Sequence, residues 1–283
     1  MTDPIKQRGP LITLQVHEQL LAARTRAPCE IECSLDLERS RVNVEARADV
    51  WMYSDQTFPY LDRCNDRTIY YWKEDAFAPV QRFTNSLIKL VSTQWGAPTF
   101  EIDGIKMLPT AQISPFVDAQ QKVALIQPRG KTILDTCAGL GYFANWCLQG
   151  GANEIVSFEK NPDVLWLRTL NPWSPEGSGG GDSRLNLSLG DVSEHITTLP
   201  TASFDAALHD PPRFGIAGEL YSQAFYAQLA RVLRPKGRMF HYTGTPNKLT
   251  TGRDVPREVA TRLQRAGFET RLHGDGVLAT KRR

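Results

Sequence analysis

At 283 residues, with 41% apolar and 23% charged side chains and a net charge of only +2, the chain can bury a sizeable core in one large domain or two unequal ones. No apolar run approaches the roughly 18–20 residues of a membrane-spanning helix, and the opening MTDPIKQRGP lacks the basic-then-apolar order of a secretory signal, so a cytoplasmic protein without membrane contact is expected. Cys29, Cys33, Cys64, Cys137 and Cys147 are odd in number and lack CxxC spacing, which argues against a disulfide framework and leaves no metal site to expect.

Residues 1–110 read as a small, strand-rich mixed α+β domain suited to substrate recognition. Residues 31–37 (IECSLDL) and 41–46 (RVNVEA) alternate apolar and polar side chains around a polar turn at 38–40, which predicts a hairpin. Residues 68–72 (TIYYW) predict another strand. Val80, Phe83, Leu87, Leu90 and Val91 recur at helical spacing and predict an amphipathic helix over 79–91. Asp103-Gly104 between two β-prone runs predicts a tight hairpin over 99–108. The aromatics Trp51, Tyr53, Tyr60, Tyr70, Tyr71 and Trp72 suit either a core or a base-stacking surface, and the core is the commoner use.

Ser114-Pro115 has the form of a helix cap followed by proline at the first helical position, opening a helix through residue 126 and a second domain over 111–283. Strand and helix then alternate. Strands are predicted at 132–134, 154–158, 185–189, 204–209, 238–242, 269–273 and 277–280, and helices near 143–148, 163–170, 192–197, 219–233 and 256–266. Such alternation means an α/β fold with a parallel sheet covered on both faces. Only Gly274-Asp275-Gly276 separates the last two strands, so they form a hairpin with one strand antiparallel. The glycine-rich stretch at 177–181 reads as an excursion without chemistry.

The chemistry gathers at strand ends. In KTILDTCAGLGYFA (131–144) a short strand ends at Asp135, and Gly139 and Gly141 turn into a helix start, which suits close backbone approach to an anionic or phosphate-bearing ligand. Glu159, Asp191 and Asp210 end the next three strands. A helix cap accounts for any one of these four acids, but poorly for all of them. Asp210 opens DPPRF, whose prolines leave carbonyls without competing N–H donors and keep the turn stiff. His209 and His241 fit a proton shuttle or, better, a hydrogen-bonded core position, and Tyr221 and Tyr242 fit rim contacts or, better, packing. From Arg231 to Arg283, thirteen Lys and Arg stand against four acids, a local +9 that leaves −7 for the rest of the chain. This asymmetry suits either contact with a polyanion or solvated helix faces.

With DTCAGLGY, Glu159, Asp191 and DPPRF in place, the chain resembles the class I S-adenosylmethionine-dependent methyltransferases over about residues 115–280. LNPWS (170–174), LHDPPRFGIAGELY (208–221) and FHYTG (240–244) further resemble a group of predicted methyltransferases, mostly archaeal with bacterial members. The resemblance implies a Rossmann-like seven-stranded sheet ordered 3-2-1-4-5-7-6 with strand 7 antiparallel. It also implies S-adenosyl-L-methionine as cofactor, held by Asp135, Cys137, Ala138, Gly139, Gly141, Tyr142, Glu159, Lys160, Asp191 and Val192, with Asp210, Pro211, Pro212, Arg213 and Phe214 at the reaction. Asp-Pro-Pro resembles the motif of amino-methyltransferases, in which the Asp side chain and a proline carbonyl accept hydrogen bonds from an exocyclic NH2.

One departure stands out: the aromatic that usually follows the second proline is replaced by Arg213, with Phe214 one residue later. Either side chain could stack on a base, or Arg213 could clamp an anion. The expected activity is N-methylation of an exocyclic amine in RNA, less readily DNA, with the basic C-terminal third as the RNA contact. A small molecule or protein side chain is the alternative substrate. RNA cytosine-C5 chemistry is disfavoured because no cysteine follows Cys147. An NAD-dependent oxidoreductase stays open because GLGYFA with Glu159 also matches a dinucleotide fingerprint, as does a binding module without catalysis.

Overall fold

The computed structural model describes residues 5, 8–175, 181–213, 215–244 and 254–283; residues 177–180 of the glycine-rich stretch and Phe214 lie outside the described residues. The chain divides into two compact units, residues 1–117 with 166–174 and residues 118–165 with 175–283. Among the described residues no helix is long and apolar enough to cross a membrane.

Among its described residues the first unit holds the helix α1 (Leu14–Arg24) and three small antiparallel sheets. Its core is largely aromatic. Trp51 on β4 (Val50–Tyr53) stacks on Phe58 of β5 (Gln56–Pro59) at 4.6 Å, and Phe58 meets Trp72 of β6 (Tyr70–Lys73) edge-on at 5.1 Å. Burying such rings supplies much of the apolar area a small sheet domain needs, and the Trp51 indole N–H is satisfied by the Pro59 carbonyl at 3.2 Å. The hairpin expected around 38–40 is present but shorter, with β2 (Cys29–Cys33) pairing β3 (Val42–Ala46). Its loop is organised by Asp36, which accepts hydrogen bonds from Ser34 Oγ, Arg39 N and Ser40 N. The LNPWS segment belongs to this unit and is structural. Buried Asn171 donates to Ser174 Oγ, and Trp173 Nε1 donates to the Leu37 carbonyl at 2.9 Å.

The helix expected over 79–91 does not form. The stretch instead contributes β8 (Gln81–Phe83) and β9 (Leu87–Val91), after β7 (Ala76–Pro79). Burial there follows a period of two in β9, with Ile88 and Leu90 inside and Leu87 outside, and Phe83 is 76% exposed. Pairing of Leu90 with Phe100 on β10 (Thr99–Ile102) satisfies the backbone across strands, so tertiary partners override a fortuitous helical spacing. The hairpin expected at Asp103-Gly104 is found, linking β10 to β11 (Ile105–Lys106); φ is +49° and +77° at the two turn residues, the left-handed pair of a type I′ turn.

The second unit holds a seven-stranded sheet with the strands expected from sequence: β12 (Thr132–Asp135), β13 (Glu154–Glu159), β14 (Leu185–Leu189), β15 (Phe204–His209), β16 (Leu233–Tyr242), β17 (Phe268–His273) and β18 (Gly276–Lys281). They are ordered β14-β13-β12-β15-β16-β18-β17, which is 3-2-1-4-5-7-6, and β18 is antiparallel to both neighbours. Continuous buried runs such as Ala206–Ala207–Leu208 identify strands covered on both faces. The covering helices bury single stripes. In α6 (Gln223–Val232), Phe225, Tyr226, Leu229 and Val232 face the core, and Val259 and Leu263 of α7 (Val255–Arg265) do the same. The helix opened by Ser114-Pro115 is α2 (Pro115–Ile126), capped by Ser114 Oγ on the Phe116 N–H. The strand order reverses beside β12, and in sheets of this kind ligands lie at the carboxyl strand ends next to such a reversal.

Candidate active site

Three strand ends shape the first half of the site. After Asp135 the chain turns through Gly139 (φ +48°) and Gly141 (φ +80°) into α3 (Tyr142–Gln149), whose N-terminus has neither a side-chain cap nor an acid in its first turn. Both glycines occupy the left-handed region that a Cβ disfavours. The Gly139 N–H donates to Glu159 Oε2 at 2.9 Å, while Asn161 N donates to Oε1 at 2.9 Å, so Glu159 is oriented from both sides. Ala138 is tied to β13 through its N–H on the Phe158 carbonyl. Asp135, 1% exposed, accepts a hydrogen bond from Ser157 Oγ at 2.7 Å.

At the end of β14, Asp191 caps α5 (Val192–His195). Its Oδ1 accepts from Ser193 N and Oγ, and its Oδ2 lies 2.6 Å from Lys160 Nζ. Burial raises the Asp191 carboxyl, but hydrogen bonds from Lys160 and Ser193 outweigh it and leave the group below its ordinary value. Asp191 in turn raises the Lys160 ammonium. Tyr142 and Val192 are each 3% exposed. Burial pushes the Cys137 thiol well up, so it stays protonated and offers no nucleophilic thiolate.

The second half forms where β15 and β16 end. His209 pairs with His241, so Asp210 and Tyr242 follow side by side on adjacent strands. In the turn after Asp210, the Tyr221 hydroxyl donates to the Pro212 carbonyl at 3.1 Å, whereas the Pro211 carbonyl accepts no hydrogen bond among the described residues. Arg213 is exposed, and its carbonyl closes the turn onto Ile216 N at 2.7 Å.

Three residues not singled out by sequence complete this half. Asp118 and Lys122 lie one turn apart on α2 with Oδ2 and Nζ 2.7 Å apart, and Lys122 Nζ sits 3.9 Å from the centre of the Tyr242 ring. Asp275, in the β17–β18 turn, accepts through its backbone carbonyl from Thr243 N and Gly244 N. A turn-forming GDG and an i,i+4 pair on a helix upstream of the sheet are common structural features, so the only signal was their chemistry, without a place to put it.

The electrostatics follow from burial among like charges. Burial pushes the Asp210 carboxyl up to about 7, opposed by Lys122 and reinforced by Asp118, Asp275 and Asp135. Asp118 is also raised, by burial first, with Lys122 opposing and Asp275 adding. Burial lowers the Lys122 ammonium, but the surrounding carboxylates outweigh that and raise it overall. The Tyr221 and Tyr242 phenols are raised by burial and then by Asp210, so both remain hydrogen-bond donors.

The two histidines are core residues. His209 bonds Thr136 Oγ1 at 2.7 Å and the Leu220 carbonyl at 3.0 Å, and burial lowers it to about 4. His241 bonds Tyr226 Oη at 2.9 Å and is lowered by burial further still. Burial holds both below the ordinary imidazole value, so both are neutral at pH 7. Part of the basic C-terminal third also has structural work. Arg231 donates to the Ile196 and Leu199 carbonyls, Arg234 pairs with Asp205, Arg262 donates to the Tyr221 carbonyl, and Lys281 to Leu233.

A family model described as S-adenosyl-L-methionine-dependent methyltransferase matches residues 176–248. The uncharacterized protein MJ1233 of Methanocaldococcus jannaschii is 36% identical over 266 residues, covering 91% of this chain and 89% of that protein. Polyamine aminopropyltransferase 2 of Streptomyces coelicolor is 38% identical over 98 residues, 33% of this chain but only 18% of that protein. The crystal structure of spermidine synthase from Thermotoga maritima matches 71% of this chain and 72% of its own at 16% identity and a TM-score of 0.52, a likeness of fold. The chain therefore belongs to the family of the Methanocaldococcus jannaschii protein, and its residues 176–248 match the S-adenosyl-L-methionine-dependent methyltransferase model.

Proposed function

We propose that the chain methylates an amine nitrogen of a small, positively charged molecule. The observation that carries this reading is the convergence of Asp118, Asp210 and Asp275 with the Tyr221 and Tyr242 phenols where β15 and β16 end. Such a pocket attracts an ammonium and repels a phosphate backbone. The names of the partial matches and of the fold neighbour, polyamine aminopropyltransferase and spermidine synthase, support amine chemistry on this fold.

The residues present fit S-adenosylmethionine. The uncapped start of α3 and the left-handed glycines would receive its carboxylate, Asp135 its ammonium, Glu159 the ribose hydroxyls and Asp191 the adenine side. When bound, it would supply an electrophilic methyl group on a sulfonium, with a neutral thioether as the leaving group. The chain's own task is to present a neutral nitrogen with its lone pair aimed. Asp210 and the open Pro211 carbonyl would accept the substrate N–H bonds, and Asp210, titrating near 7, takes the departing proton more readily than an ordinary carboxylate. Protonated Tyr221 and Tyr242 close the pocket without adding negative charge.

A second reading, an exocyclic amine in RNA, is supported by Asp-Pro-Pro itself and by exposed Arg213 beside it. Transfer of labelled methyl from S-adenosylmethionine to diamines, polyamines, monoamines and total RNA separates the two. Label in a cationic amine is expected, and label confined to RNA would sink the small-molecule reading. A parallel reaction with the decarboxylated donor, whose sulfonium carries an aminopropyl arm, tests whether methyl is the group transferred.

A further inference from the structure

We propose that Lys122 is a positioning residue of the acceptor pocket: its buried ammonium, anchored by Asp118 and laid on the ring of Tyr242, maintains Asp210 as the carboxylate that receives the substrate amine. The proposal rests on the reading of Asp210 as the amine's acceptor.

Lys122 is only 5% exposed, unusual for a lysine, and the cost of desolvating an ammonium must be met by its surroundings. Asp118 Oδ2 lies 2.7 Å away as an ion-pair partner, and the ammonium meets no other polar partner among the described residues. It instead rests 3.9 Å from the Tyr242 ring centre and 6.0 Å from that of Phe143, where the π faces attract a desolvated cation. Register places Tyr242 beside Asp210, so this seat brings the ammonium to the end of β15. A lysine needed only to pair with Asp118 could do so in solvent on the helix surface.

The groups around Asp210 come from every neighbouring element: Asp118 and Lys122 from α2, Asp135 and the Cys137 thiol after β12, Tyr221 from the turn after β15, Tyr242 from β16, and Asp275 from the β17–β18 turn. Arg213, farther out, bears on Tyr242. Several carboxylates in one buried cluster do not all ionise readily, and their titrations are coupled. The interior ammonium of Lys122 tips that balance toward ionised Asp210. Without it, the acid in the least solvated place takes up a proton and ceases to accept one from substrate.

Two experiments test this. In methyl transfer to an amine substrate, Lys122→Met should move the acid limb of the kcat/KM profile alkaline by at least about one pH unit, a loss of about fivefold or more at pH 7 that is recovered near pH 9. Lys122→Arg should restore the parental profile. A loss of equal size at every pH would assign Lys122 to packing alone and overturn the proposal. The second experiment needs no activity, so it stands even if the amine reading fails. Urea unfolding of the cofactor-free protein is followed for the parent, Lys122→Met, Asp210→Asn and the double variant. Asp210→Asn should stabilise the Met background more than the parent at pH 8.5 and equally at pH 5.5. Absence of that coupling at pH 8.5 would overturn the proposal. Lys122→Gln replaces Met in the cycle if the first variant does not fold.

Discussion

Asp210 concentrates the consequences of the site in one side chain. It titrates near 7 because burial among Asp118, Asp275 and Asp135 disfavours its charge more than Lys122 restores it. Asp210→Asn should therefore lower methyl transfer by about two to four orders of magnitude, the range of a lost general base, and abolish the acid limb in the pH profile of initial rates. The stability effect has a definite sign. A carboxyl whose folded value lies above its unfolded value favours folding fully below about pH 4, and that contribution is lost as pH rises through about 7. The melting temperature of Asp210→Asn should thus exceed that of the parent increasingly between pH 4 and 7, whereas a constant gap would contradict the assigned environment. Gly139 is the other decisive residue. At φ +48°, with its N–H on Glu159, Gly139→Ala adds about 1–2 kcal/mol of left-handed strain and disturbs the turn. Calorimetry should show weaker S-adenosylhomocysteine binding, by about tenfold, with little loss of secondary structure.

Among the elements, the β17–β18 hairpin links fold to site. Gly276 pairs with Tyr242, and a Cβ there would stand 2.5 Å from the His241 carbonyl and 2.6 Å from the Phe240 ring. Gly276→Ala must push β18 off β16, and with it the Asp275 carbonyl that accepts from Thr243 and Gly244. It should lower the melting temperature by several degrees and reduce turnover, and activity untouched at assay temperature would show that Asp275 does not shape the pocket. The stretch 79–91 teaches a different lesson about elements. Its apolar spacing satisfied a helix, yet a backbone able to pair with Phe100 and its neighbours on β10 became two strands. Spacing is a property of one segment, while pairing belongs to two.

Taken as a whole, the molecule's cofactor class is testable without a substrate. Any ligand that binds only the folded chain raises its apparent stability, by about 2.7 kcal/mol at a hundredfold excess over Kd. S-adenosylmethionine and S-adenosylhomocysteine should raise the melting temperature by several degrees and NAD(H) should leave it unchanged; the reverse response would reassign the glycine turn to a dinucleotide. The seven-stranded unit was legible in residue order because each strand's apolar run, each capping residue and the Gly274-Asp275-Gly276 turn are local signals, and short connections leave few ways to assemble them. Asp135, Glu159, Asp191 and Asp210 were legible for the same reason: a strand's end can be read from the strand. The companions of Asp210 were not. Asp118 and Lys122 precede the sheet, and Asp275 follows almost all of it. Only the folding of β15, β16 and β18 into neighbours, with α2 returning over their ends, brings three separated charges within reach of one carboxylate. Local sequence determined which residues end which strands, whereas tertiary structure decided which charges share a buried space, because burial and proximity are set by the packed chain and by no segment of it alone.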